Sequence, residues 1–227
     1  MTSVAARLRA PRRRLGLGAL TVVVAAMLAG CHPGPVSMAE PRATPNPKDY
    51  RAIQKHWTRH GHVTEDFDEA LTVDATLQGP EMRAAYIEKW ISVYKLGPDE
   101  AARARAQLTA EVADVWEVNL QSSSHTIDLD NFSPAKKLWR ISLLDDRGRS
   151  VSPTEIKLVR DRIEVIDAFF PFPGQKTYVG TFTRSWRLHF PKQHVDGQPL
   201  IGPETKRVIL RIAGPQGSTD LVWELAR

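Results

Sequence analysis

From Tyr50 onward the apolar positions of the chain switch between helical and strand-like spacing. Tyr50, Ile53 and Trp57 recur at intervals of three and four, which predicts a short helix over residues 49 to 60, broken by Gly61. Phe67, Leu71, Val73, Ala75 and Leu77 then alternate with Asp68, Thr72, Asp74, Thr76 and Gln78. A period of two predicts a strand with one wet face. Gly79-Pro80-Glu81 supplies a turn, a proline for the first helical position and an early acid. It opens a helix that runs to about Leu96 and stops at Gly97-Pro98, and a second helix follows from Pro98 to about Glu111.

The remainder reads as strands. Trp116, Val118 and Leu120 alternate, as do Trp139, Ile141 and Leu143, the latter closed by the turn Asp145-Asp146-Arg147-Gly148. Ile156 and Leu158 mark a further strand, and Tyr178 to Phe190 forms a long one with Trp186, Leu188 and Phe190 on one face. Val208, Leu210 and Ile212 face Leu221, Trp223 and Leu225 across Gly214-Pro215-Gln216-Gly217, the pattern of a terminal hairpin. About seven such strands, each with one apolar face, bury those faces by packing as two sheets. The expected fold is α+β: mainly an antiparallel β-sandwich, immunoglobulin-like in general form. A short helix precedes it, and a helical hairpin is inserted at about residues 80–111. One domain is expected, spanning 49–227.

Ahead of it, residues 31–48 hold prolines at 33, 35, 41, 45 and 47 and no hydrophobic period. Proline fixes φ and removes an amide donor, so this stretch is expected to be an extended, semi-rigid tether reaching about 50 Å. Before the tether, Leu15 to Ala29 is an uninterrupted run of fifteen small and apolar residues behind a basic start. That is too short for a bilayer span of about 20 residues and suits a secretory leader. Leu28-Ala29-Gly30-Cys31 resembles the lipobox of bacterial lipoproteins. The resemblance implies export, a diacylglyceryl group on the Cys31 sulfur, cleavage before Cys31 (residues 1–30 being the signal peptide) and further acylation with chains such as palmitate. His32 stands where an Asp commonly signals inner-membrane retention in that class, so the expected location is the outer membrane. Arg12-Arg13-Arg14-Leu15 lacks the rest of a twin-arginine motif, which leaves general secretion.

The leader also changes the meaning of the charge. The net charge is +5 and the sequence pI about 9.5, values that would suggest an acidic partner. Five of the 31 Lys and Arg residues (7, 9, 12, 13 and 14) lie in the first thirty positions, which hold no acid, so 26 remain against 26 Asp and Glu. Nucleic-acid binding thereby loses its compositional support. Paired bases such as Lys136-Lys137 and Lys206-Arg207 read as edge or turn charges. Cys31 is the sole cysteine, so no intramolecular disulfide is possible.

Candidate chemistry is sparse. His56, His60 and His62 lie close together, and a helix would set the first two on one face at a spacing that binds zinc or nickel. Without HExxH, and with Arg59 adding repulsion, a solvated helix end is the blander reading. Ser122-Ser123-Ser124-His125 has nucleophile and base atom types but reads as a polar loop, and no nucleophile elbow is present. Asp128-Leu129-Asp130-Asn131 and Asp145-Asp146 read as turns. Phe169, Phe170 and Phe172 fall in an aromatic, proline-containing loop that could meet a partner or plug an open end of the sandwich. The six tryptophans read as core. No cofactor and no catalytic residue is expected.

Several phrases resemble a group of uncharacterised envelope lipoproteins of proteobacteria: Trp57-Thr58-Arg59 with Gly61, Ala75-Thr76 with Arg83 and Tyr86, Ala213-Gly214-Pro215, and Leu221-Val222-Trp223-Glu224. That resemblance brings no functional residue. The expected function is a lipid-anchored envelope protein with a non-enzymatic binding or structural role. It would attach to the membrane through Cys31 and could have an envelope protein partner. The alternative is a metal-binding protein or metal-dependent envelope enzyme using His56, His60 and His62.

Overall fold

The helix that starts at Tyr50 ends sooner than its apolar spacing suggests, and the strand that takes over from it sets the architecture. In the computed structural model, which describes residues 33–65, 68–126, 128–169 and 176–226, helix α1 spans Tyr50–Trp57. Thr58 then turns extended, at φ −90° and ψ 139°, and its hydroxyl donates to the Gln54 carbonyl at 2.7 Å. This satisfies an acceptor that the ended helix leaves open. Strand β1 runs from there, Thr58–Glu65, antiparallel to β2, Asp68–Leu77. His60, Gly61 and His62 are therefore strand residues and not the frayed end of a helix.

The expected hairpin of helices is present as α2, Pro80–Tyr94, and α3, Pro98–Ala110. The remaining strands are β3 (Val115–Ser124), β4 (Arg140–Leu144), β5 (Ser150–Val151), β6 (Glu155–Phe169), β7 (Lys176–Pro191), β8 (Arg207–Gly214) and β9 (Gly217–Glu224). They form two antiparallel sheets, ordered β1-β2-β3-β7-β6 and β5-β4-β8-β9, giving the α+β, mainly β, sandwich-like fold. Val73, Ala75, Leu77, Val118, Leu120, Trp186, Leu188 and Phe190 of the first sheet share one core with Ile141, Leu143, Val208, Leu210, Ile212, Leu221 and Trp223 of the second. Trp57 joins that core, whereas Trp116 and Trp139 pack partly buried against it. Trp90 departs from the core reading: it lies on α2 with its ring centroid 4.5 Å from that of Tyr94.

The sheets approach most closely where β1 meets β9. A Cβ at Gly61 would stand 2.7 Å from the Thr219 hydroxyl oxygen and 3.3 Å from Leu221 Cγ, so glycine is required there for proximity and not to break a helix. A second close approach holds α2 in place: the Trp57 ring occupies the space a Gly79 side chain would need, and the indole Nε1 donates to Glu81 at 2.9 Å.

The proline-rich stretch is not a free tether. Val36 is fully buried and bridges in parallel to Leu225; its amide donates to the Glu224 carbonyl and its carbonyl accepts from the Ala226 amide, both at 2.8 Å. The flanking prolines explain this. They hold the chain in the extended form that strand pairing needs, so docking costs little further entropy. The compact unit begins at Pro33, sixteen residues before the boundary expected from composition.

A methyl group at position 61 forces the Thr219 and Leu221 side chains of β9 to shift. Gly61→Ala is expected to lower stability by about 1–3 kcal/mol, read as a shift of the urea midpoint; an unchanged midpoint would show that these side chains do not constrain position 61.

Candidate functional site

Between Val36 and a 3-10 turn at Pro47–Asp49, the chain crosses the surface as a strap. From Met38 to Pro45 no backbone hydrogen bond ties it to the rest of the described residues. Beneath it lies a cleft of about 840 Å³, within the size range of small-molecule sites, roughly 300–1,000 Å³. A second depression of about 830 Å³ also touches the strap, and Met38 and Trp116 line both. The larger cleft is walled by α2 and α3 through Ala84, Ile87 and Ala110, and floored by Gln78 at the end of β2 and Trp116 on β3.

Two buried polar atoms without a hydrogen-bond partner among the described residues belong to that floor, Gln78 Oε1 and Trp116 Nε1, and four more lie away from it, on Asp130, Arg187, His194 and Gln216. Each such atom costs about 1–3 kcal/mol if left dry. Lys192, just past the end of β7, spends one of its three donors on the Ala113 carbonyl at 2.5 Å and lies 5.0 Å from the centre of the Trp116 ring. Among the described residues it has no carboxylate partner.

Glu40 brings an exposed acid to the cleft from the strap, whereas the charges that the helices bring to it are paired. Arg105 forms a two-point pair with Glu88 at 2.7 and 3.0 Å. Arg83 donates to the Leu108 carbonyl, fixing α2 to α3, and reaches Glu111 at 3.5 Å and Glu117 at 3.6 Å. Glu117 points to the outer face of its sheet, is 4% exposed, and is ringed by Asn119, Arg187 and His189. His189 in turn reaches Glu155 at 2.9 Å. This network clamps the helical hairpin to the outer face of the five-stranded sheet.

The sequence-predicted residues fall elsewhere. His56, at the end of α1, lies 3.2 Å from the Pro35 carbonyl. His60 and His62 are exposed on β1, with His60 Nδ1 2.5 Å from Asp74 Oδ1 across the strand pair. Arg59, expected to repel a metal from a solvated helix end, is buried instead, its side chain turned into the fold. Among the described residues no group of three or more His, Cys, Asp or Glu is placed to hold a metal ion. Cys31, Phe170 and Phe172 lie outside the described residues, and Phe169 is described in its backbone alone, as the last residue of β6, paired with Lys176.

Ser122 to Ser124 are not a loop. They end β3, and Ser122 and Ser124 are buried with their hydroxyls donating to the carbonyls of Asp130 (2.8 Å) and Ala70 (2.7 Å). The turn at Asp128 does carry the expected local bonds, but Asp130 within it is wholly buried against Arg184. Burial pushes the Asp130 carboxyl above its ordinary range, and the Arg184 charge opposes this only in part. Asp145 behaves oppositely: burial raises it, but Arg149 and the amides of Arg149 and Arg147 more than offset that, leaving it low.

Gln78, Trp116 and Lys192 were not singled out by sequence reasoning as a site. The one available signal was a glutamine just before Gly79-Pro80, at the end of an otherwise alternating strand. No known family model matches the chain, and no curated protein or solved structure gives a match.

Because Asp130 is held above the ordinary carboxylate range, its contribution to stability is fully present below that range and is lost as pH rises through its folded value. Removing Arg184 enlarges that loss. Arg184→Met should destabilise the fold by about 3–5 kcal/mol at pH 7 and by clearly less at pH 4, compared by urea unfolding at both pH values. An equal cost at both would show that Asp130 is not the group left unpaired.

Proposed function

We propose that the protein is a lipid-anchored component of the bacterial envelope with a non-enzymatic binding role, exported by general secretion and held at the outer membrane through acyl chains on Cys31. The observation that carries this reading is the join between anchor and domain. Cys31 ends a leader of the lipobox type, and only five positions later Val36 is paired to the end of β9. Five residues reach at most about 18 Å, so an acylated Cys31 holds the domain close to the bilayer surface and not at the end of a long stalk.

A binding role is supported by the cleft of about 840 Å³ under the strap, which Lys192 lines beside apolar residues of α2 and α3. Several acyl chains, at about 0.8 kcal/mol per buried CH₂, anchor far more firmly than a single reversible chain, which suits a component that stays in place and captures something there.

The anchor is tested in cells that process lipoproteins. Cys31→Ser is expected to abolish labelling by radiolabelled palmitate and to leave uncleaved precursor; normal processing of that variant would overturn the reading.

A further inference from the structure

On the outer face of the five-stranded sheet, away from the anchor and the cleft, a break in strand register gathers basic side chains. Up to Leu158 strand β6 alternates, with Lys157 opposite Arg187 and Leu158 opposite the core residue Trp186. Continued unbroken, the alternation would turn Asp161 outward with Lys157 and send Arg160 and Arg162 to the core side. Instead the register shifts: Val159 is left without a strand partner, and Arg160 stands opposite Ser185, Asp161 opposite Arg184 and Arg162 opposite Thr183. Directly opposed residues share a face, so the bulge re-aims three charges. Asp161 turns to the core side, its carboxylate 3.2 Å from Nε of the buried Arg184. Lys157, Arg160 and Arg162 line up on the outer face with Arg187.

Few acids answer them. Lys157 and Arg160 are exposed and make no ion pair among the described residues. On the same face Asp74 is met by His60 at 2.5 Å, and Glu155 by His189 at 2.9 Å. Glu117, 3.8 Å from Arg187, is buried, and Glu164 stands one row beyond Arg162, opposite Thr181. Bases and acids balance beyond residue 30, so the basic ladder is a local excess on one face.

We propose that this face binds a linear polysaccharide bearing carboxylate groups, laid across β3, β7 and β6. Lys157 and Arg160 pair with its carboxylates. Its hydroxyls meet the row that ends at Arg160: Gln121, Ser185 and Arg160 stand opposite one another on the three strands, about 4.8 Å apart from strand to strand. Gln121 is exposed, and neither its amide nor the Ser185 hydroxyl is bonded to another described side chain. A flat face with charge along one strand and neutral donors and acceptors beside it suits an extended polymer that carries both kinds of group. Nucleic acid would answer to the charges alone. This inference goes beyond the binding role proposed above and uses none of the cleft residues.

The test is isothermal titration calorimetry on the full chain in a non-ionic detergent, at low ionic strength and without divalent cations. Polygalacturonate carries a carboxylate on every sugar, its methyl ester keeps the hydroxyls without the charge, and polyacrylate of matched length keeps the charge without the hydroxyls. Polygalacturonate should bind saturably, and each of the other two about tenfold more weakly or worse. Lys157→Gln combined with Arg160→Gln should weaken polygalacturonate binding about tenfold, the loss of two exposed charge contacts, without moving the thermal midpoint. Gln121→Ala should narrow the gap between polygalacturonate and polyacrylate. Arg211→Gln, on the other sheet where Arg211 is paired with Asp220, should bind as the parent does. No saturable binding, equal affinity for the methyl ester, equal or tighter binding of polyacrylate or duplex DNA, or undiminished binding by the double variant would each overturn the proposal. Those results leave the anchored reading standing, whereas normal processing of Cys31→Ser would sink the anchor and leave the calorimetry intact.

Discussion

The fold is tied together by the Arg59 guanidinium. It is 7% exposed and donates to four carbonyls from separate parts of the chain: His56 (2.7 Å) and Thr58 (3.0 Å) at the helix-to-strand junction, Val222 (2.8 Å) on β9, and Gly34 (3.3 Å) in the proline-rich segment. It also lies over the Trp223 ring at 5.9 Å. Burial pulls its pKa down, and the negative charge of Glu224 opposes that. Carbonyls can hold a buried cation only if several converge, and only the planar fork of arginine can meet four of them at once. Trp223 Nε1, donating to the Trp57 carbonyl at 2.7 Å, closes the same junction from the other sheet. Helix end, sheet contact and strap are thus one arrangement.

That junction also marks where sequence reasoning stopped. Strands with one face in the core were legible because alternation survives wherever one side is dry, and the helical hairpin was legible because a Gly-Pro pair opens each of its helices. The terminal hairpin appears at the expected place, with Gly214 opposite Gly217. β1 was not legible. Its inward residues are Arg59, Gly61 and Val63, an arginine, a glycine and one aliphatic, because the strand is pressed against β9 and has room for little else. The same contact made Gly61 look like a helix breaker. β6 was cut short for a different reason: the register shifts between Leu158 and Arg160, which breaks the period of two, and beyond it the strand crowds Arg160, Asp161 and Arg162 together.

The proline-rich segment shows how composition can mislead about packing. Five prolines without apolar periodicity have the signature of a linker, and one valine between two of them is too little to predict a docked strand. Docking succeeds because the cost was already met in the unfolded chain, and because Arg59 and the end of β9 offer ready partners. The consequence reaches the cleft: the strap pinned at Val36 lines it together with Gln78 and Trp116. The same segment that would carry the domain near a membrane therefore also shapes that cleft. The candidate site was illegible in the sequence because a roof made from a linker and a floor made from strand ends meet only after folding.

Roof and cleft, and the short reach to a bilayer that the proposed anchor would have, all depend on the strap being docked. Amide hydrogen exchange read residue by residue at Val36 and Ala226 tests this directly, since each amide donates across the strap junction at 2.8 Å. Protection of both amides approaching that of core-strand amides such as Leu210 is the predicted result. Exchange of Val36 at the rate of an unstructured peptide, with the core strands still protected, would contradict it and return the segment to a free tether.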